Sequence, residues 1–348
     1  MIPESAPPHR RRPRYRGTHP RRFTEKYKEL NPERYAAEVA HVRAKGRTPA
    51  GMHLPICVNE ILEILQPAPG ELFLDATLGY GGHAQQLLPR LLPDGRYIGL
   101  DVDPHELPRT EARLRALGYG GETLAVRRLN FAGVLGLPEA AGGFDGVLAD
   151  LGVSSMQLDN PARGFTWKAD GPLDLRLNPQ RGVPASTMLL TLDTAALAAI
   201  LAEYADEPHA EAIARAVKAS PMSIETTTQL ARVIRGALPR RPQDEVRGSL
   251  QRTFMALRIA VNEELSVLDR FLDALPWCLK PGGRVAILTF HSGEDRRVKQ
   301  AFKRGLESGI YRAIAPTPLR PSPEEQRANP RSSCAKLRWA VRSTRPVP

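Results

Sequence analysis

The sequence predicts an α/β protein, a mostly parallel, doubly wound sheet interrupted by an inserted helical segment. Three observations lead there. Short apolar strands alternate with helical stretches from Leu54 to Asp150, the pattern of strands joined by crossover helices. A glycine-rich turn, Gly79-Tyr80-Gly81-Gly82-His83, lies between the first strand and the helix after it. The alternation then stops at about residue 156, and no comparable strand follows before residue 284.

Val58, Ile61, Leu62 and Leu65 recur at helical spacing and predict an amphipathic helix that Pro67 and Gly70 end. Leu72–Thr77 is a short apolar strand. After the glycine turn a helix runs from about His83 to Leu92, and Asp94-Gly95 turns the chain into a second strand, Tyr97–Asp101. A helix over about 104–117, with Pro104 at its start, leads to a third strand near 123–129. Phe144–Asp150 is the fourth. Residues 156–250 open as a polar Gly/Pro-rich loop and continue as helices over 195–204, 211–219 and 229–238. One long helix over about 252–275 returns the chain to the sheet. Strand five is Arg284–Phe290, and a late strand covers 335–341. The expected division is a basic N-terminal extension, 1–50, a core formed by 51–156 and 251–348, and an inserted helical segment, 157–250.

The 348 residues are 42% hydrophobic, enough for an ordinary globular core. No apolar run approaches the roughly 20 residues of a membrane span, and the charged, proline-rich start does not resemble a secretory signal. Cys57, Cys278 and Cys334 lack disulfide or metal-ligand spacing, so no metal site is expected and a reducing cytoplasm fits. The net charge of +11 is uneven. Residues 1–50 carry 13 Lys/Arg against 5 Asp/Glu, whereas the rest carries 36 against 33. Residues 1–22 therefore read as a basic arm that contacts phosphates, as a solubilising tail, or as an organelle transit peptide, against which the acids Glu25, Glu29 and Glu33 soon after it speak. A short charged helix is expected over 24–45.

A glycine turn between strand and helix lets backbone approach a cofactor closely. Asp101, about 20 residues further on at the end of strand two, is placed to accept hydrogen bonds from the two hydroxyls of an adenosine ribose. Asp103, nearer the following helix, is the better helix cap. Two cofactors remain open on spacing alone: a dinucleotide, because Ala84 satisfies the relaxed fingerprint, and S-adenosyl-L-methionine. Asp75, at the end of strand one, suits the amino group of a sulfonium amino acid. Asp150, at the end of strand four, lies where a substrate would meet the transferable methyl group.

Several segments resemble one family. They are Asp75–His83, Asp150–Asp159, Arg163-Gly164-Phe165, Asp170–Arg176, Ala256–Ile259, Val261–Leu265, Phe290-His291-Ser292, Glu294-Asp295-Arg296 and Ala335–Arg338. In this order and spacing they resemble the RsmH/MraW family of bacterial 16S ribosomal RNA cytosine-N4 methyltransferases. The resemblance implies a class I (Rossmann-like) methyltransferase core with an inserted helical substrate domain. It implies S-adenosyl-L-methionine as cofactor and 16S rRNA of the small ribosomal subunit as partner. It further implies that Gly81, Gly82, His83, Asp101, Phe131, Asp150 and Gln157 contact the cofactor. Gly293, Tyr204–Pro208, Ser333-Cys334 and the stretch before Thr253 depart from the family pattern, mostly outside the cofactor loops.

An exocyclic cytosine amine is a poor nucleophile, so a catalyst must align it and accept its hydrogen bonds as it pyramidalises. Asp150 is the candidate acceptor. Phe165 and Trp167 are candidates to stack on an extruded base or, alternatively, to pack the insertion against the core. His291 is a weaker candidate for late proton removal. No cysteine follows a proline, which argues against the cysteine-nucleophile chemistry of cytosine-C5 methylation.

Overall fold

The structure, a computed structural model, describes residues 55–344. The basic arm 1–22 and the helix expected over 24–45 lie outside the described residues. Helix α1 (Val58–Leu65) precedes β1 (Leu72–Asp75), α2 (Ala84–Leu91), β2 (Arg96–Asp101), α3 (Glu106–Ala116) and β3 (Leu124–Arg128). Two short 3-10 turns, Phe131–Gly136 and Pro138–Ala141, lead into β4 (Phe144–Asp150).

The helical segment follows: α4 (Ser155–Asp159), α5 (Ala185–Thr191), α6 (Thr194–Ala205), α7 (Ala210–Lys218), α8 (Thr227–Ala237) and α9 (Gln243–Asn262). Helix α10 (Glu264–Cys278) leads back to β5 (Leu279–Thr289). Then come α11 (Ser292–Glu307), β6 (Tyr311–Ile314), α12 (Pro323–Ala328) and β7 (Lys336–Arg342).

The seven strands lie in the order β3-β2-β1-β4-β5-β7-β6. The first five in this order are parallel, and β7 is antiparallel to both β5 and β6. This is a class I, Rossmann-like sheet. Successive strand residues point to opposite faces, so Leu74, Ile98 and Val147 enter one apolar cluster while Phe73, Tyr97 and Leu148 enter another. Helix α10 with Val298 and Phe302 of α11 fills the first cluster, and α1 and α2 with Leu107 and Leu114 of α3 fill the second. Burial on both faces is why the strands read as continuous apolar runs.

A third cluster belongs to the helical segment and includes Phe165, Leu197, Leu201, Ile213, Leu230, Ile234, Phe254 and Leu257. It extends past residue 250 because α9 contributes its first four turns to it. The long helix expected over 252–275 is in fact two helices. Glu263 takes a left-handed conformation, φ 51°, ends α9 and starts α10. No glycine or proline marks this break. Side chains sustain it: Asn262 Oδ1 accepts from Leu177 N at 2.7 Å, and its Nδ2 donates to the carbonyls of Leu175 and Arg258, each at 2.8 Å. Arg258 and Glu264 then span the break with two parallel hydrogen bonds of 2.8 and 2.7 Å.

Candidate active site at the β1–β4 switch point

The chain travels outward from β1 through β2 to β3, then returns to place β4 on the other side of β1. Such a reversal opens a crevice at the carboxyl ends of the two strands. Register pairs Asp75 with Leu148, so β4 runs two residues further, to Asp150. Thr77 crosses over this end and its Oγ1 accepts the Asp150 N–H at 2.6 Å.

The turn after β1 is built for close approach. Gly79 and Gly81 hold φ of 50° and 76°, a region side chains disfavour, and a Cβ on Gly81 would stand 3.0 Å from Thr110 Cγ2. Thr110 Oγ1 donates to the Gly79 carbonyl at 2.6 Å. Asp101 Oδ2 accepts from Gly79 N at 2.8 Å, and its Oδ1 accepts from Asp103 N at 2.9 Å. A carboxylate oxygen has two lone pairs, so each oxygen keeps one for a ligand. Two adjacent acceptors beside a left-handed glycine turn fit an adenosine ribose, and burial pushes the Asp101 carboxyl above its ordinary pKa. Asp75 lies deeper. It accepts from Tyr97 Oη at 2.7 Å and from Thr77 N at 3.0 Å, and burial pushes its pKa to about 6.

Among the described residues, no lysine or arginine pairs with Asp150. His83 Nδ1 stands 3.7 Å from Asp150 Oδ2, but burial pushes the His83 pKa down and keeps the ring neutral. Its Nε2 lies 3.0 Å from the Ile56 carbonyl. The Nε2 therefore carries the proton, and Nδ1 presents a lone pair to the carboxylate. Asp150 Oδ1 is enclosed with no hydrogen-bond partner. Burial, with the Glu294 carboxylate second, pushes the Asp150 pKa to about 7. A carboxylate so placed binds a proton at neutral pH far more readily than an ordinary aspartate does.

The far wall is the start of α11. Glu294 Oε2 accepts from Phe290 N at 2.8 Å, and its Oε1 lies 3.3 Å from His291 Nε2. Burial would raise the Glu294 pKa, but His291 and the Arg258 guanidinium hold it below its ordinary value. The next residue, Asp295, receives Arg338 Nε at 2.6 Å and Lys336 Nζ at 2.8 Å, which fixes α11 to strand β7.

A family model described as the MraW methylase family matches residues 50–343. The chain belongs to this family. It is 54% identical over 340 residues to "Ribosomal RNA small subunit methyltransferase H 2" of Alkaliphilus metalliredigens, covering 96% of this chain and 97% of that one. It is 52% identical to "Ribosomal RNA small subunit methyltransferase H 1" of Lachnoclostridium phytofermentans, covering 97% and 94%. This MraW methylase is a methyltransferase, and S-adenosyl-L-methionine is its methyl donor.

Of the residues singled out in the sequence of this methylase, the fold brings Asp75, Gly81, Gly82, His83, Asp101 and Asp150 around one crevice. Gln157 is committed to structure at both ends of its amide. Its Oε1 accepts from Ser154 N at 2.9 Å, and its Nε2 donates to Asp103 Oδ2 at 2.8 Å. Phe131 packs edge-on against Phe271, with ring centroids 5.0 Å apart. Phe165 is 4% exposed, inside the cluster of the helical segment, so its ring has the packing role. Trp167 is half-buried and leans on Phe254 of α9 at 5.5 Å. His291 belongs to the Glu294 wall.

In the sequence Asp103 reads only as a helix cap. It does accept from His105 N at 2.9 Å and from Glu106 N at 3.2 Å. Its other oxygen also takes Arg163 Nη1 at 2.7 Å, and this pairing holds its pKa below the ordinary value against the effect of burial. Arg163 continues to the Leu177 carbonyl at 2.8 Å. The turn that follows β2 is thereby tied to the loop that enters the helical segment. Arg163 stands within the Arg163-Gly164-Phe165 motif, but nothing in the linear sequence says that its partner lies 60 residues earlier.

Proposed function

We propose that this methylase transfers a methyl group to N4 of a cytosine in 16S rRNA of the small ribosomal subunit, in the cytoplasm, with the family's decoding-region cytosine 1402 as target. The observation that carries the reading is Asp150, a switch-point carboxylate whose Oδ1 has no hydrogen-bond partner among the described residues and whose pKa stands near 7. The relatives' printed names, ribosomal RNA small subunit methyltransferase H, supply the substrate class.

The Gly79–Gly82 turn and the Asp101 carboxylate would hold the nucleoside part of the cofactor, with Asp75 the candidate for its amino group. When bound, the cofactor supplies an electrophilic sulfonium methyl. Asp150 accepts a hydrogen bond from the exocyclic amine and orients its lone pair along the line of attack. As nitrogen becomes tetravalent its N–H turns acidic, and the Asp150 carboxylate takes that proton. The neutral His83 adds no positive charge that would lower the proton affinity of Asp150. Trp167, in the loop leaving the crevice, is the candidate platform for an extruded base.

The test is transfer of labelled methyl groups to small-subunit particles lacking the modification, followed by mass spectrometry of the nucleosides. Label in N4-methylcytidine at one position is expected. Label in another nucleoside, or in none, overturns the assignment.

A further inference from the structure

We infer that the corner between α8 and α9 is a phosphate-docking surface for the RNA strand that flanks the target nucleotide, an inference that rests on the RNA methyltransferase reading above. Residues 232–247 carry five arginines, Arg232, Arg235, Arg240, Arg241 and Arg247, against two acids, Asp244 and Glu245. All five arginines are exposed. Glu245 is already engaged, with His209 Nε2 at 2.7 Å and Arg241 Nη1 at 3.6 Å. Among the described residues, Arg232, Arg235, Arg240 and Arg247 have no carboxylate partner within 4.0 Å.

The local fold explains why they cluster. Helix α8 buries Thr227, Leu230, Ala231 and Ile234. That leaves Arg232 and Arg235, three residues apart, side by side on the opposite face. The short connection through Arg240 and Pro242 brings the start of α9 next to them, and Arg247 follows one turn into that helix. Unpaired like charges at this density repel one another and weaken the free protein. A polyanion relieves the repulsion, and arginine matches phosphate oxygens in a two-pronged contact.

Geometry links the corner to the site. Helix α9 runs unbroken from Gln243 to Asn262. Near its far end Arg258 grips Glu264, whose carboxylate lies within 4.8 Å of the ligand atoms of His291 and Glu294. At about 1.5 Å rise per residue, Arg247 and the start of α9 stand roughly 16 and 22 Å from Arg258 along the helix. A stacked strand advances about 3.4 Å per nucleotide, so the corner would meet phosphates roughly five to seven nucleotides from the target. Trp167, on Phe254, lies between the two ends.

The experiment uses the full chain and a fluorescein-labelled transcript that contains the target cytosine with about seven nucleotides on either side. Binding is followed by anisotropy over a salt series, with labelled methyl transfer measured on the same transcript. The triple variant Arg232→Gln, Arg235→Gln, Arg240→Gln is expected to bind more weakly. Its slope of log K against log salt should be shallower by about 2–3, with cofactor affinity unchanged and thermal unfolding at or slightly above that of wild type. The corresponding triple Lys variant should keep most of the slope, and Arg312→Gln, an exposed arginine on β6, should leave it unaltered. A Gln triple that binds with the wild-type slope and affinity overturns the docking surface while the methyltransferase reading stands. A Lys triple that loses the slope as fully as the Gln triple also overturns it. Wild-type protein that labels neither the transcript nor small-subunit particles lacking the modification strikes the functional reading itself, and the docking surface with it.

Discussion

Replacing Asp150 with asparagine should abolish methyl transfer and yet stabilise the protein, by an amount that depends on pH. Folding holds the Asp150 pKa at about 7 instead of 3.8, so the native state resists ionisation that the unfolded chain undergoes freely. The sign follows from linkage. A carboxyl raised by folding contributes full stability below its unfolded pKa and loses it as pH rises through the folded pKa. At about 1.36 kcal/mol per pH unit, wild type loses about 4 kcal/mol between pH 3.8 and pH 7 through this one group. Roughly 3 kcal/mol of that falls between pH 5 and pH 7. Asparagine does not titrate, so the variant's advantage should widen by up to about 3 kcal/mol from pH 5 to pH 8, or roughly 6 °C in midpoint. Asp75 also titrates near 6, but it is present in both proteins and largely drops out of the difference. Calorimetric or dye-based unfolding of both proteins at pH 5, 6, 7 and 8, without cofactor, measures the gap. A gap that stays constant across this range would refute the raised pKa. With the proposed role of Asp150 as proton acceptor, the same pKa predicts that wild-type methyl transfer at saturating cofactor rises with pH through about 7.

Asp101→Ala removes both candidate ribose acceptors and should weaken cofactor binding by about 1–3 kcal/mol; unchanged affinity by titration calorimetry would show that the ribose binds elsewhere. Arg258→Leu strands the half-buried Glu264 and should cost about 3–5 kcal/mol of stability in denaturant unfolding, while the double change with Glu264→Leu should recover much of it. A double variant no better than the single one would mean that Arg258 acts through packing alone. Deleting residues 1–22 should flatten the salt dependence of RNA binding by about 0.7–0.9 for each phosphate that the arm neutralises; an identical slope would mark the arm as a solubilising tail.

Much of the core was legible in the chain because its signals are local. Strands β1, β2 and β4 are buried on both faces, so each appears as an apolar run ending in an aspartate, and the runs lie within a residue or two of their observed limits. The glycine turn was legible for a similar reason, since left-handed backbone at Gly79 and Gly81 writes itself as glycine. The boundary at Glu263 was not, because its left-handed backbone is held by bonds from Asn262 to residues 85 and 87 positions away. Strand β6 was missed for the opposite reason: four residues pairing only with β7 carry too short a pattern.

The sequence alone determined the parallel strands, the glycine turn and the identity of the three carboxylates that end β1, β2 and β4, because burial and backbone conformation restrict residue type position by position. The character of those carboxylates was decided by the tertiary structure. In the chain, Asp75, Asp101, Asp103 and Asp150 are four equivalent acids. In the fold, Asp103 meets Arg163 and stays ionised, whereas Asp150 is buried and faces Glu294, and so holds a proton to near pH 7. A proton affinity depends on which charges and how much solvent surround the group, and those neighbours come from segments that only the packed chain brings together.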